Sequence, residues 1–148
     1  MKIEVLFSEV CNLSGDFQNV EYLRQSLPEA EFIFTSLTDT PYFAENRPDM
    51  VLMGTMTEAI QRRVIETLRP YRDRLEKLID DGVVFLMTGN ACEVFVKHID
   101  YVTEKLSVDG LGLFDLTAKT DLFHRYNGKF LGNIDGIPVV GFRSQFSF

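Results

Sequence analysis

Cysteine and histidine are scarce in this chain of 148 residues, with two of each. Cys11 and Cys92 stand alone, without C-x-x-C spacing, so the sequence suggests neither a zinc site nor a disulfide framework. His98 and His124 lack the paired spacing of a metal site, and no metal or cofactor is expected. A long apolar run is also missing. After Met1-Lys2 only Ile3 to Phe7 reads as apolar, too short for a secretory h-region and far short of a membrane span, so a cytoplasmic protein is expected. Positive charge is in deficit: 15 Lys and Arg against 22 Asp and Glu give a formal net charge of -7. That balance argues against nucleic acid or anionic membrane as a partner, since both require clustered Lys and Arg. The densest basic stretch, Arg62, Arg63, Arg69, Arg72, Arg74 and Lys77, is interleaved with Glu66, Asp73, Glu76 and Asp80, and reads as a solvated helix face.

What is present suits one soluble domain over residues 1–148, with 45% hydrophobic residues and enough chain for a single sizeable core. Apolar runs alternate with helical patterns. Strands are predicted at Ile3 to Phe7, Glu31 to Phe34, Asp49 to Met53 and Val83 to Met87. A helix is predicted from Phe17 to Leu27, ended by Pro28, with Leu37 to Pro48 as loop. Thr57 to Asp80 is helical in pattern but contains Pro70, which predicts two helices or one bent one. A helix is predicted again from about Ala91 to Leu106. The last third breaks into shorter pieces, Leu113 to Leu116, Lys129 to Leu131 and Pro138 to Phe142, the last after an Asp135-Gly136 turn. These pieces predict antiparallel strands added to the main sheet. The expected fold is therefore α/β, a three-layer α/β/α sandwich around a mostly parallel sheet. Ligands in such sheets bind beyond the carboxyl ends of the strands. Three turns then share one rim: Asn12 to Asp16, Gly54 to Thr57, and Thr88 to Ala91.

Thr88 occupies the most informative position. The segment from Asp81 to Cys92 reads as a buried strand that breaks at Thr88-Gly89 and enters a helix. A nucleophile elbow is built this way: a tight turn lifts one side chain, and the following N–H groups face a developing oxyanion. The plainer reading is an ordinary βα turn with Thr88 as N-cap. Cys92, about one helical turn on, reads first as a small buried residue and only weakly as a displaced nucleophile. Asn12 and Asp16 read as shaping their own turn through side-chain hydrogen bonds.

Several segments, in order, resemble one family. Asn12-Leu13-Ser14-Gly15-Asp16-Phe17-Gln18-Asn19 is similar to the N-x-x-G-D-x-x-N segment of class I glutamine amidotransferases of the cobyric acid synthase type. The nearest branch is the glutaminase subunit of lipid II isoglutaminyl synthase, a flavodoxin-like domain that supplies ammonia for amidating peptidoglycan precursors. Asp49 to Gln61, with Gly54 and Gln61, resembles the branch's D-[hydrophobic]4-G-G-G-Q-D-x-x-Q stretch, and Ile79 to Val83 its acidic-Gly lead into the elbow. Gly110 to Asp115 with Thr117, Lys129 to Asn133, and Val140-Gly141-Phe142 match later elements in register.

The departures are as informative. The family's elbow is C-G-G-Y-Q; here it is Thr88-Gly89-Asn90-Ala91-Cys92. A hydroxyl has a far higher pKa than a thiol, and the threonine β-methyl crowds an elbow, so Thr88 is a poor substitute without a dedicated base. The resemblance puts the family's catalytic His and its acidic partner beyond Phe148. Its Gly-Gly-Gly-Gln-Asp loop has become Gly54-Thr55-Met56-Thr57-Glu58, where bulky Met56 is expected to restrict approach to a ligand. Its arginine corresponds to Lys129, with Arg125 near enough to serve; its E-N-H after G-F is Arg143-Ser144-Gln145.

The resemblance thus implies a degenerate amidotransferase-like domain with Gly54, Thr55, Gly89, Asn90, Lys129 and Arg125 as candidate ligand-binding residues and no intact nucleophile. Its implied partner is a Mur-ligase-like, ATP-dependent synthetase subunit, met by exposed residues of the Thr57 to Asp80 helix. Two alternatives stand beside it. One is an active glutaminase using Thr88 or Cys92; the other is a module that holds glutamine, another amino acid or an anion on the rim without reacting.

Overall fold

The computed structural model describes residues 1–148 and has mixed α/β architecture. Four short strands, β1 (Lys2–Leu6), β2 (Glu31–Thr35), β3 (Met50–Met53) and β4 (Val84–Met87), form a parallel sheet in the order β2-β1-β3-β4. Each follows an apolar run of the sequence. Alternate residues divide between the faces, as a period of two requires: Val5 and Leu52 join Val20 on one side, while Leu6, Val51 and Met53 enter the main apolar cluster on the other.

Helix α1 (Phe17–Ser26) covers the first face, with Val20 buried and Phe17 and Leu23 packed around it. The long helical pattern divides where Pro70 predicts. Helix α2 (Glu58–Leu68) is followed by a 3₁₀ turn, Arg69–Tyr71, and then by α3 (Arg72–Asp80). Thr57 caps α2 by accepting a hydrogen bond from Ile60 N at 3.4 Å. Val64, Ile65 and Leu68 of α2 and Leu75 and Leu78 of α3 are buried in the main cluster. The α1 face is covered incompletely, since Val84 and Leu86 of edge strand β4 remain exposed there.

The expected helix from Ala91 to Leu106 does not form. A 3₁₀ segment, Gly89–Phe95, leads directly into β5 (Val96–Tyr101), which turns back as β6 (Leu106–Asp109). The reason lies in the backbone acceptors. The carbonyls of Val94, Phe95 and Val96, which a helix would pair four residues on, accept instead from Leu111 N, Leu113 N and Gly112 N at 2.9 Å each. Gly110 permits that approach: a Cβ there would lie 2.2 Å from Val96 O. His98 consequently sits on a strand rather than a helix.

Nor do the C-terminal strands join the main sheet. β5 pairs antiparallel with β6 and parallel with β7 (Phe114–Thr120) in a separate three-stranded sheet. β8 (Tyr126–Ile134) and β9 (Ile137–Gln145) make a two-stranded ribbon of their own. Its Asp135-Gly136 turn is the predicted one, both residues having positive φ (51° and 86°), as the tight two-residue hairpin turn demands. Phe148 exchanges two 2.9 Å backbone hydrogen bonds with Lys119, beginning a further pairing along β7.

Candidate functional site

The carboxyl ends of β1, β3 and β4 meet at one rim, and the three expected turns converge there. The chain leaves β1 through Phe7, whose φ of 56° is unusual for a bulky residue. Full burial of its ring, and hydrogen bonds from Val10 N and Cys11 N to its carbonyl at 2.9 and 2.7 Å, hold that conformation. The first turn is stabilised by Asn12, whose Oδ1 accepts from Phe17 N at 2.9 Å.

Asp16 does more than shape its own turn. One carboxylate oxygen accepts from Ser14 N at 3.2 Å and from the Thr55 hydroxyl; the other accepts from the Thr88 hydroxyl at 2.5 Å. One side chain therefore links the loops after all three strands. Burial pushes its carboxyl upward, but the donors from Thr55, Thr88 and Ser14 outweigh that and hold it below the usual aspartate value. The sequence reading missed this cross-loop role. Its signal was present only as an acidic residue and two threonines in three turns assigned to the same rim.

The expected N-cap at Thr88 is not realised. Thr88 precedes the 3₁₀ segment with extended backbone but makes no side-chain capping bond, because its hydroxyl is committed to Asp16. Gly89 is required at the elbow for two reasons: φ is +50°, and a Cβ would lie 2.4 Å from Thr55 Cγ2. Asn90 pairs with Met56 in both directions, accepting from its N–H at 3.1 Å and donating to its carbonyl at 2.8 Å. Thr55 Oγ1 also accepts from Ser14 N at 3.0 Å. Met56 does not obstruct the rim as expected; its side chain is buried, with Sδ 3.9 Å from Cys11 Sγ.

Behind the elbow lies a second network. Gln61, fully buried on α2, donates to Asn90 O at 2.7 Å and to Glu93 Oε2 at 3.1 Å, and accepts from the Tyr101 hydroxyl at 2.7 Å. It joins α2, the elbow segment and β5. Burial raises the Glu93 carboxyl above its usual range, against the lowering effect of donors from Gln61 and Ser147. Cys92, expected to be a small buried residue, is exposed; its thiol points at Gly89 O, 3.1 Å away, and partial desolvation together with the Glu93 carboxylate pushes its pKa up. It therefore stays a thiol, the unreactive form. Cys11, also suppressed by burial, rises to about 12.

Neither histidine serves the rim. His98 lies between Asp109 (Nδ1 to Oδ1, 3.2 Å) and Asp100 (Nε2 to Oδ1, 3.1 Å), and His124 bonds Asp121 at 2.7 Å. Lys129 stands on β8 opposite Phe142, and Arg125 stacks on the Phe146 ring at 4.2 Å. Gly54, Thr55, Gly89 and Asn90 are thus brought together with Thr88, whereas Lys129 and Arg125 hydrogen-bond to none of them. No group of three His, Cys, Asp or Glu side chains is arranged to hold a metal ion, and no helix is long and apolar enough to cross a membrane.

The arrangement is chemically quiet. Thr88 offers a hydroxyl whose proton faces an ionised carboxylate of depressed pKa, which is a weak base. Removing that carboxylate with Asp16→Ala leaves the Thr55 and Thr88 hydroxyls without their acceptor, while Ser14 N keeps Thr55 Oγ1, and we expect a loss of about 1–3 kcal/mol, read by urea unfolding. A variant as stable as the wild type would show that the linkage contributes nothing. No protein-family model matches the chain, and no curated protein matches its sequence.

Proposed function

We propose that this chain is a non-catalytic relative of the glutamine amidotransferases of the cobyric acid synthase type, acting as a scaffold for a Mur-ligase-like, ATP-dependent synthetase. The observation that carries the reading is the Thr88 hydroxyl at the elbow position, held 2.5 Å from the weakly basic Asp16 Oδ1 rather than presented to a histidine. A nucleophile needs a group that takes its proton as it attacks. Asp16 is stabilised in its ionised form, and both histidines are engaged by other carboxylates.

The three-layer sandwich of that family belongs to the same proposal. Supporting it are the parallel order β2-β1-β3-β4, shared with flavodoxin-like sheets, and the placement of α1 against one face and α2 and α3 against the other. Scaffolding is favoured over holding glutamine on the rim, because the Thr55 and Thr88 hydroxyls are taken by Asp16 and the Asn90 amide by the Met56 backbone. A ligand would have to displace those bonds.

Ammonia release from glutamine tests the proposal directly. The purified chain, alone or with a Mur-ligase-like subunit, is expected to release none above buffer. Release that Cys92→Ala abolishes would instead assign the chemistry to a displaced thiol. A second arm uses Thr88→Cys and a glutamine-mimicking electrophile. The neighbouring Asp16 carboxylate disfavours a thiolate there, so no labelling is expected; rapid labelling would mean that the rim still accepts glutamine.

A further inference from the structure

After the ribbon, residues 146–148 return to β7. Phe148 and Lys119 exchange two 2.9 Å backbone hydrogen bonds, Asp121 N donates to Phe146 O at 2.9 Å, and the Ser147 and Thr120 hydroxyls meet at 2.9 Å between them. This short antiparallel strap lies over a buried acid. The Ser147 side chain hydrogen-bonds the carboxyl of Glu93, which is only 6% exposed. Gln61 supplies the other bond and has none to spare: its amide N–H groups go to Asn90 O at 2.7 Å and Glu93 Oε2 at 3.1 Å, and its carbonyl accepts from Tyr101 at 2.7 Å. No cation balances the carboxyl. Glu58 of α2 acts on it with the same sign, the Cys92 thiol adjoins it, and Arg62 is occupied by Glu104 at 2.8 Å and the Tyr101 ring at 5.2 Å.

Ionisation in such a place is costly unless water arrives. The strap is the wall that yields most readily. α2 and β5 are fixed in the main apolar cluster through Val64, Ile65, Leu68 and Ile99, whereas no residue of 146–148 belongs to it. We propose that residues 146–148 form a pH-operated strap, closed on β7 while Glu93 carries its proton and lifted when Glu93 ionises. Lifting admits water to the carboxylate and frees the N–H groups of Lys119 and Asp121. The sign follows from burial. Desolvation, the largest influence on Glu93, holds its carboxyl above the usual glutamate range in the closed form, against donors from Gln61 and Ser147. Closure is therefore strongest below the ordinary glutamate pKa and weakens as pH rises from there through the raised value. Beside the strap stand Lys119, the Asp121–His124 pair at 2.7 Å, and Arg125 on the Phe146 ring at 4.2 Å. His124 therefore needs its own control.

Amide hydrogen exchange, divided by the intrinsic rate at each pH, reports the opening of the strap. Between the ordinary and the raised glutamate values, opening at Lys119, Asp121 and Phe148 is expected to rise by up to about tenfold per pH unit, the limit for one linked proton. Glu93→Gln should flatten that rise, while Glu4→Gln and His124→Gln should leave it in place. An NMR titration of the isotope-labelled Glu93 carboxyl needs no substitution, and its midpoint should mark where the rise levels off. The proposal is overturned by opening that ignores pH in that window, by a rise that survives in Glu93→Gln or disappears in His124→Gln, or by a Glu93 midpoint in the ordinary glutamate range.

Discussion

Gly54→Ala is expected to destabilise the protein by about 3 kcal/mol or more, among the larger costs a single methyl group can impose. The added Cβ would lie 2.1 Å from Cys11 O, 2.6 Å from Asp16 Cβ and 3.0 Å from Asp16 Cγ. The nearest of these is a backbone atom, so no rotamer change relieves the overlap. The backbone cannot withdraw cheaply either. Cys11 is buried, its N–H bonds Phe7 O at 2.7 Å, and Phe7 is already held at φ 56°. Moving Asp16 would break its bonds to Thr55 and Thr88, including the direct side-chain link from the first turn of the rim to the third. Gly15→Ala provides the contrast. With φ at 78° and nothing within 4 Å of the added Cβ, it carries a conformational penalty alone, about 1 kcal/mol. Urea unfolding of the two variants separates the mechanisms, and equal stabilities would remove close packing at Gly54 as the explanation.

That contrast also indicates what the sequence could reveal. Gly54 stood out as the first position after a predicted strand and as the one glycine left in a loop resembling a Gly-rich one. The four parallel strands were legible because each is a short apolar run bounded by polar or turn residues, and the break at Pro70 because proline removes a helical donor. β5 was not. Val94, Val96 and Ile99 suit a helix or a strand, and the choice was made by the N–H groups of Leu111 to Leu113, far along the chain. The rim was legible as a location but not as a network. Sequence order placed Asp16, Thr55 and Thr88 on three turns; only the relative height of those turns determines that one carboxylate reaches both hydroxyls. Lys129 and Arg125 were assigned to the rim by correspondence, and the separate ribbon carries Lys129 elsewhere.

Glu4 escaped notice for the opposite reason: an acidic residue inside an apolar strand reads as an outward-facing position, yet Glu4 is fully buried. Its Oε1 accepts from the Thr35 hydroxyl and Tyr42 N at 2.7 Å each, and its Oε2 from Phe43 N at 2.9 Å. One carboxylate thereby anchors β2 and the 3₁₀ turn Tyr42–Ala44 to the central strand. Glu4→Ala removes the acceptor from three donors and leaves a cavity, at an expected cost of about 3–5 kcal/mol. Glu4→Gln keeps the volume but turns an amide NH₂ toward an existing donor, costing about 1–3 kcal/mol. The pH dependence distinguishes burial from bonding. Desolvation raises the Glu4 carboxyl above its usual value despite the three donors, so the folded state holds its proton more tightly than the unfolded chain. Its contribution is then fully present below the ordinary glutamate pKa and is lost as pH rises through the raised folded value. Glu93 acts in the same direction, while Asp16, held low, contributes above the ordinary aspartate value and loses that contribution in stronger acid. Wild-type stability should therefore fall as pH climbs through the window just above the ordinary glutamate range, and Glu4→Gln should flatten that slope. Urea midpoints measured across this window test the sign: a wild-type stability that rises with pH there, with a slope that Glu4→Gln leaves unchanged, would mean that the three donors outweigh burial at Glu4.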